Sequence, residues 1–154
     1  LVPFSFSQVE IMNIDFDLTI AARLTGAVLL ALPTAWNREM NSRIMGLRTF
    51  PLVSLGACSY VLVAIAIVGS NSSPDLLRVL SGLMAGIGFV GGGAILKSDD
   101  RVRGTTSAAS IWVTGALGAA VGFGQWGIAI MLSVLNVALI IGFSKLKPKE
   151  QRDV

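Results

Sequence analysis

Five long apolar runs constrain this chain more than any other feature. They are Leu18–Trp36, Phe50–Val68, Val79–Leu96, Ser107–Phe123 and Trp126–Phe143. Each holds about 17–19 residues, the short end of what a helix needs to cross a hydrocarbon core of about 30 Å. Membrane strands would alternate apolar and polar residues, and these runs are continuous. Only 14% of the 154 residues are charged against 53% hydrophobic, too little charge to cover a soluble surface of this size. The mean hydropathy of +0.74 agrees. The expected fold is all-α: an integral membrane bundle of about five short transmembrane helices over residues 18–143, with the lipid bilayer as its solvent. Residues 1–17 form an external N-terminal segment and residues 144–154 a basic tail.

The loops set the orientation. Asn37–Thr49 carries Arg38, Arg43 and Arg48 against Glu39, net +2. Lys97–Thr106 carries Lys97, Arg101 and Arg103 against Asp99 and Asp100, net +1. The tail carries Lys145, Lys147, Lys149 and Arg152 against Glu150 and Asp153, net +2. The remaining pieces have no excess of Lys or Arg: Glu10, Asp15 and Asp17 precede the first run, Asp75 and Arg78 follow the second, and the turn near Gly124 is uncharged. Five spans place every basic piece on one side, and the positive-inside rule makes that side cytoplasmic. The N-terminus is then outside and the C-terminus cytoplasmic. Four spans would put the basic tail outside. The joint between runs four and five, Gly122-Phe123-Gly124-Gln125-Trp126-Gly127, reads either as a tight turn or as the break of a re-entrant hairpin.

Several chemistries are excluded or disfavoured by composition. With no His a Ser-His-Asp triad cannot form, and with no His and one cysteine, Cys58, the usual zinc and haem sites are not expected. One cysteine makes no intrachain disulfide. The basic residues are split among short loops, which disfavours nucleic acid as a partner. The acidic start lacks the basic n-region of a secretory signal. No nucleophile–base pair or metal constellation stands out, so neither catalysis nor a cofactor is expected. Asp99 and Asp100 are hard oxygen ligands of the kind Mg²⁺ takes, but Arg101 and Arg103 compete for them, and solvated loop carboxylates are the simpler reading.

Glycine dominates the third run. Gly86-Ile87-Gly88-Phe89-Val90-Gly91 spells GxGxxG, yet it lies inside an apolar helix and not after a strand, so the dinucleotide reading fails. Gly82 and Gly86, Gly88 and Gly92, and Gly118 and Gly122 are each four apart, the spacing that lets helix backbones approach closely in lipid. Alternatively, Gly91-Gly92-Gly93 breaks the third helix and turns its carbonyls toward an ion path. Two polar residues lie inside spans. Arg23 is either a functional intramembrane charge or a side chain whose stem reaches the outer interface, the simpler reading. Asn136 is placed for an interhelical hydrogen bond, with ion ligation as the sharper alternative. Pro33 removes a backbone hydrogen bond and should kink the first span near Leu29.

Three stretches, taken in order on five short spans, resemble the MgtC/SapB family of bacterial membrane proteins. They are Arg38-Glu39 with Gly46-Leu47-Arg48-Thr49, then Gly86–Gly93, then Val102-Arg103-Gly104-Thr105-Thr106-Ser107-Ala108-Ala109. The resemblance covers roughly residues 20 to 143. It implies a multi-pass protein of the bacterial cytoplasmic membrane and a functional cytoplasmic cluster of Arg38, Glu39, Gly46, Arg48, Thr49, Arg103, Gly104, Thr105 and Thr106. It also implies roles in growth at low Mg²⁺ and survival in the host, with restraint of the proton-driven ATP synthase as one activity. The chain departs from the family pattern at Asn37, where a Glu often stands, and at Gly82 and Ala85, where polar residues do. It also stops soon after the fifth span, without the soluble C-terminal domain of longer members.

Two functional readings follow. In the first, a regulatory membrane protein contacts another membrane complex through this cluster. In the second, a small oligomeric transporter or channel carries an ion or small solute. A homo-oligomer is compatible with both.

Overall fold

A computed structural model of the chain describes residues 18–41, 45–68, 74–98 and 101–144. The expected N-terminal segment and basic tail lie outside the described residues. Five helices occupy most of it: α1 (Leu18–Asn41), α2 (Thr49–Val68), α3 (Pro74–Gly93), α4 (Thr105–Gly122) and α5 (Trp126–Ser144). Between α3 and α4 stands an antiparallel hairpin, β1 (Leu96–Ser98) with β2 (Arg101–Arg103), in the register Leu96↔Arg103, Lys97↔Val102 and Ser98↔Arg101. Helices α1, α2, α3 and α5 are long and apolar enough to cross a membrane. The fold is an all-α membrane bundle.

Helix bounds differ from the apolar runs where the flanking residues are polar. Helix α1 continues past Trp36 through Asn37, Arg38 and Glu39 to Asn41, because a helix projecting from the bilayer need not be apolar. Helix α3 starts five residues before Val79, at Pro74, whose fixed φ and missing N–H suit the first helical position. It ends at Gly93 and not at Leu96. The glycine run therefore terminates α3 and does not interrupt it: Gly91 O and Gly92 O accept from Ala94 N and Ile95 N at 3.0 and 3.1 Å. Those two carbonyls close the last turn of the helix.

Helix α4 is the inner element. It packs against all four other helices and buries ten residues, more than any of them. Encirclement explains its composition. Ser107, Ser110 and Thr114 are buried in protein and never meet hydrocarbon. Small residues let its neighbours close in. A Cβ at Gly118 would overlap the Ser54 backbone of α2, and one at Gly122 would sit 2.7 Å from Val61 Cβ. A Cβ at Gly115 would overlap Ile87 of α3. At Gly82, Gly86, Gly88, Gly92 and Gly93 an added Cβ meets nothing within 4 Å. The close approach expected along α3 is thus absent from this bundle there. Only Gly91, 3.3 Å from Ala108 O, packs tightly.

Hydrogen bonds tie α1 to its neighbours. Ser54 Oγ donates to Ala27 O at 2.8 Å and Ser133 Oγ to Leu30 O at 2.7 Å. The second bond lies beside the carbonyl that Pro33, lacking an N–H, leaves without its helical donor. Asn136 Nδ2 donates to Thr34 Oγ1 at 3.3 Å, so Asn136 makes an interhelical bond between buried groups. Such bonds contribute on the order of 1 kcal/mol each in a membrane.

Two glycine variants test this packing. Gly118→Ala should cost about 1–3 kcal/mol, because α2 backbone must move. Gly86→Ala should be neutral or gain up to about 1 kcal/mol of helix propensity, since nothing opposes the methyl. Thermal unfolding in detergent followed by circular dichroism reads both. Equal midpoints would mean that α2 and α4 do not touch at Gly118.

Candidate functional site

The fold brings the α1–α2 loop and the α3–α4 connection to one end of the bundle. Two arginines fix that geometry. Arg23, early in α1, donates from Nη1 to Gly122 O at 2.9 Å. Arg38, late in α1, donates from Nη2 to Ser107 Oγ at 2.6 Å. Helix α4 therefore runs antiparallel to α1 along its length, with its N-terminus beside Arg38 and its C-terminus beside Arg23. Helices α4 and α5 are separate elements joined at Phe123–Gln125, where Gly124 takes φ 75°.

The two ends differ electrostatically. Arg23 lies at the C-terminus of α4, where the carbonyls lack helical donors and the helix dipole favours a cation. It ties down the α4–α5 turn. Arg38 lies at the N-terminus of α4, where the dipole favours an anion. Its partner there is a neutral hydroxyl, and its Nε is closed off from solvent with no acceptor. Among the described residues no carboxylate pairs with Arg38; the one ion pair is Arg78 with Asp75, 3.1 Å apart near the start of α3.

Around Arg38 the backbone is shaped by glycine. Gly46 is buried against α1, with Glu39 Cα and Cβ each 2.9 Å from where its own Cβ would be. This lets the Glu39 carboxylate accept from Leu47 N at 2.9 Å. Glu39 thus latches the loop, and among the described residues no arginine clasps it. Gly46 O then takes Thr49 N and Phe50 N at 3.1 and 3.3 Å and opens α2. Gly104 adopts φ 88° and its O accepts the first bond of α4, from Ala108 N at 2.8 Å. A Cβ there would overlap Ala94 O, so sterics and φ both demand glycine. Arg48, Arg103, Thr105 and Thr106 are exposed around this rim, and Thr49 is half-buried.

The structure thus gathers Arg38, Glu39, Gly46, Arg48, Thr49, Arg103, Gly104, Thr105 and Thr106 at one end. Arg23 and Asn136 lie apart as internal ties. In the sequence Ser107 stands at the start of a span and within the third stretch of the resemblance, with no bonding role assigned, and Ser54, Ser133 and Thr34 were missed as bonding partners. The available signal was a hydroxyl inside an apolar run. The hairpin was also missed, because a three-residue strand leaves almost no periodicity to detect.

A bundle of apolar helices around a hydroxyl-bearing inner helix, with charge gathered at its loops, defines a multi-pass membrane protein. The family model described as MgtC family matches residues 24–149, and the chain belongs to that family. It is 36% identical over 141 residues to protein SrpB of Synechococcus elongatus, covering 84% of this chain and 78% of that one. It is 38% identical over 119 residues to protein MgtC of Brucella abortus, covering 77% of this chain and 49% of the relative. YhiD of Escherichia coli K12 is 31% identical over 134 residues, covering 84% and 60%. The chain spans about half the length of the MgtC relatives it matches. No solved structure matches it.

Gly104→Ala should be poorly tolerated: the methyl meets Ala94 O and the left-handed backbone adds strain of about 1–3 kcal/mol. Gly127→Ala, where nothing lies within 4 Å, is the control. Monodisperse protein recovered by size exclusion in detergent should fall for the first and not for the second. Equal recovery would remove the requirement for glycine at the start of α4.

Proposed function

We propose that this protein is a regulatory component of the bacterial cytoplasmic membrane. It acts non-catalytically, by presenting the Arg38 end of its bundle to another membrane complex. Five spans with that end in the cytoplasm put the N-terminus outside and the C-terminus inside. The observation that carries the reading is the electrostatic imbalance at Arg38. A guanidinium at the positive end of α4, with a hydroxyl for a partner and an Nε lacking an acceptor, is completed by an anion. Arg48 and Arg103 on the same rim widen the target. A carboxylate or phosphate of the partner suits them, because guanidinium forks bind both in two-point fashion. Magnesium limitation is the condition that the MgtC family points to, virulence in a host is the setting, and the proton-driven ATP synthase is the candidate partner.

The transporter reading draws on YhiD, which is named as a proposed magnesium transporter. Within this chain it loses its main support, since Gly91 and Gly92 carbonyls are used to end α3. Ion flux in reconstituted vesicles separates the two readings.

The topology is tested by a reporter fused after Arg152, expected in the cytoplasm, and a tag near Ser72, expected outside. The reversed pattern would overturn the orientation. For the site, Arg48→Lys and Arg103→Lys should insert and express normally yet lose activity in a low-Mg²⁺ growth assay. Lysine keeps the charge but not the fork. Arg43→Lys should be neutral. Affinity capture with Arg38→Lys should recover about tenfold less partner, the scale of one lost charge-assisted bond of about 1.5–3 kcal/mol. Full growth of both rim variants would leave the loops as orientation signals only.

A further inference from the structure

Of the β1–β2 hairpin only Arg103 enters the functional reading above, and the position of the hairpin gives its other face a different task. It leaves α3 within three residues of Gly93 and re-enters α4 two residues after Arg103, so its base sits at the helix ends. Three strand residues rise about 10 Å. The headgroup layer on each side of a bilayer is about 5–8 Å deep. Strands rooted at the helix ends thus have the reach of that layer.

Their register sorts the side chains. Lys97 and Val102 are directly paired, and side chains of such a pair share one face of a hairpin. Both are exposed, Val102 to 57%. Arg103 lies on the opposite face by alternation along β2. Among the described residues Lys97 has no carboxylate partner. One face thus combines a cation free to reach a phosphate with a branched apolar residue. The two loops at this end carry a net +3.

We propose that the Lys97–Val102 face of the hairpin docks onto the headgroup layer beside the bundle and binds the phosphodiester of an anionic phospholipid. Charge complementarity selects that occupant, and Val102 enters the acyl boundary beside it. This face is distinct from the Arg48 and Arg103 rim assigned to a partner complex, so either assignment can fail alone. A lysine near an anionic surface favours it about fivefold, which is about 1 kcal/mol.

The experiment uses the full chain in nanodiscs of phosphatidylcholine with one part in four phosphatidylglycerol. Enrichment of phosphatidylglycerol among co-purified lipids is measured by mass spectrometry. Lys97→Gln should lower the enrichment about fivefold, Lys97→Arg should preserve it, and Arg78→Gln at the far end should leave it unchanged. Equal enrichment in Lys97→Gln and wild type would overturn the lipid site. A second measurement does not depend on lysine variants. A polarity-sensitive label at Val102→Cys, on a Cys58→Ala background, should be quenched by lipids carrying a spin label near the headgroup. Quenching by aqueous iodide alone would place the face in water and overturn the docking.

Discussion

Helix α4 depends on two arginines of one neighbour. Fifteen residues separate Arg23 from Arg38 on α1, and their guanidinium groups meet opposite ends of α4. This fixes which way α4 runs and how far it slides, since neither tie can be kept if it shifts by a turn. The rest of the bundle closes around it. Gly115, Gly118 and Gly122 let α3 and α2 approach, and Ser54, Ser133 and Asn136 bond α2 and α5 to α1. In lipid no hydrophobic force gathers helices, so such close contacts and hydrogen bonds must do it.

The same arrangement creates the functional asymmetry. A cation at the C-terminus of α4 is satisfied by a carbonyl and by the sign of the dipole. A cation at the N-terminus is opposed by that sign and meets only Ser107 Oγ. One end of the bundle is therefore internally satisfied, and the other holds a guanidinium whose Nε has no acceptor among the described residues. Glycine at 46 and 104 keeps the backbone close enough for this to happen, which accounts physically for two of the positions in the family pattern.

Helix α3 presents the opposite case. Its glycines leave a groove of ≈ 540 Å³ against α2, lined by Gly56, Tyr60, Gly82, Gly86 and Val90 among others. Phe89 of the same helix stands 84% exposed. Glycine spacing in a membrane sequence therefore identifies where backbones can approach, and not where they do.

The sequence by itself determined the class, the number of helices and the grouping of charge. Those follow from long apolar stretches and scarce charge, which are properties of composition along the chain. It also marked the glycines, arginines and threonines of the candidate site through the resemblance they carry. Tertiary structure alone decided which polar group meets which. Arg38 pairs with Ser107 across 69 positions and Arg23 with Gly122 across 99, separations that no local pattern encodes. It decided that α4 is the inner helix, because burial depends on neighbours and not on hydropathy. It also decided that residues 96–98 and 101–103 pair as a hairpin: three-residue strands are held by their cross-strand bonds, which leave no periodic trace in the chain.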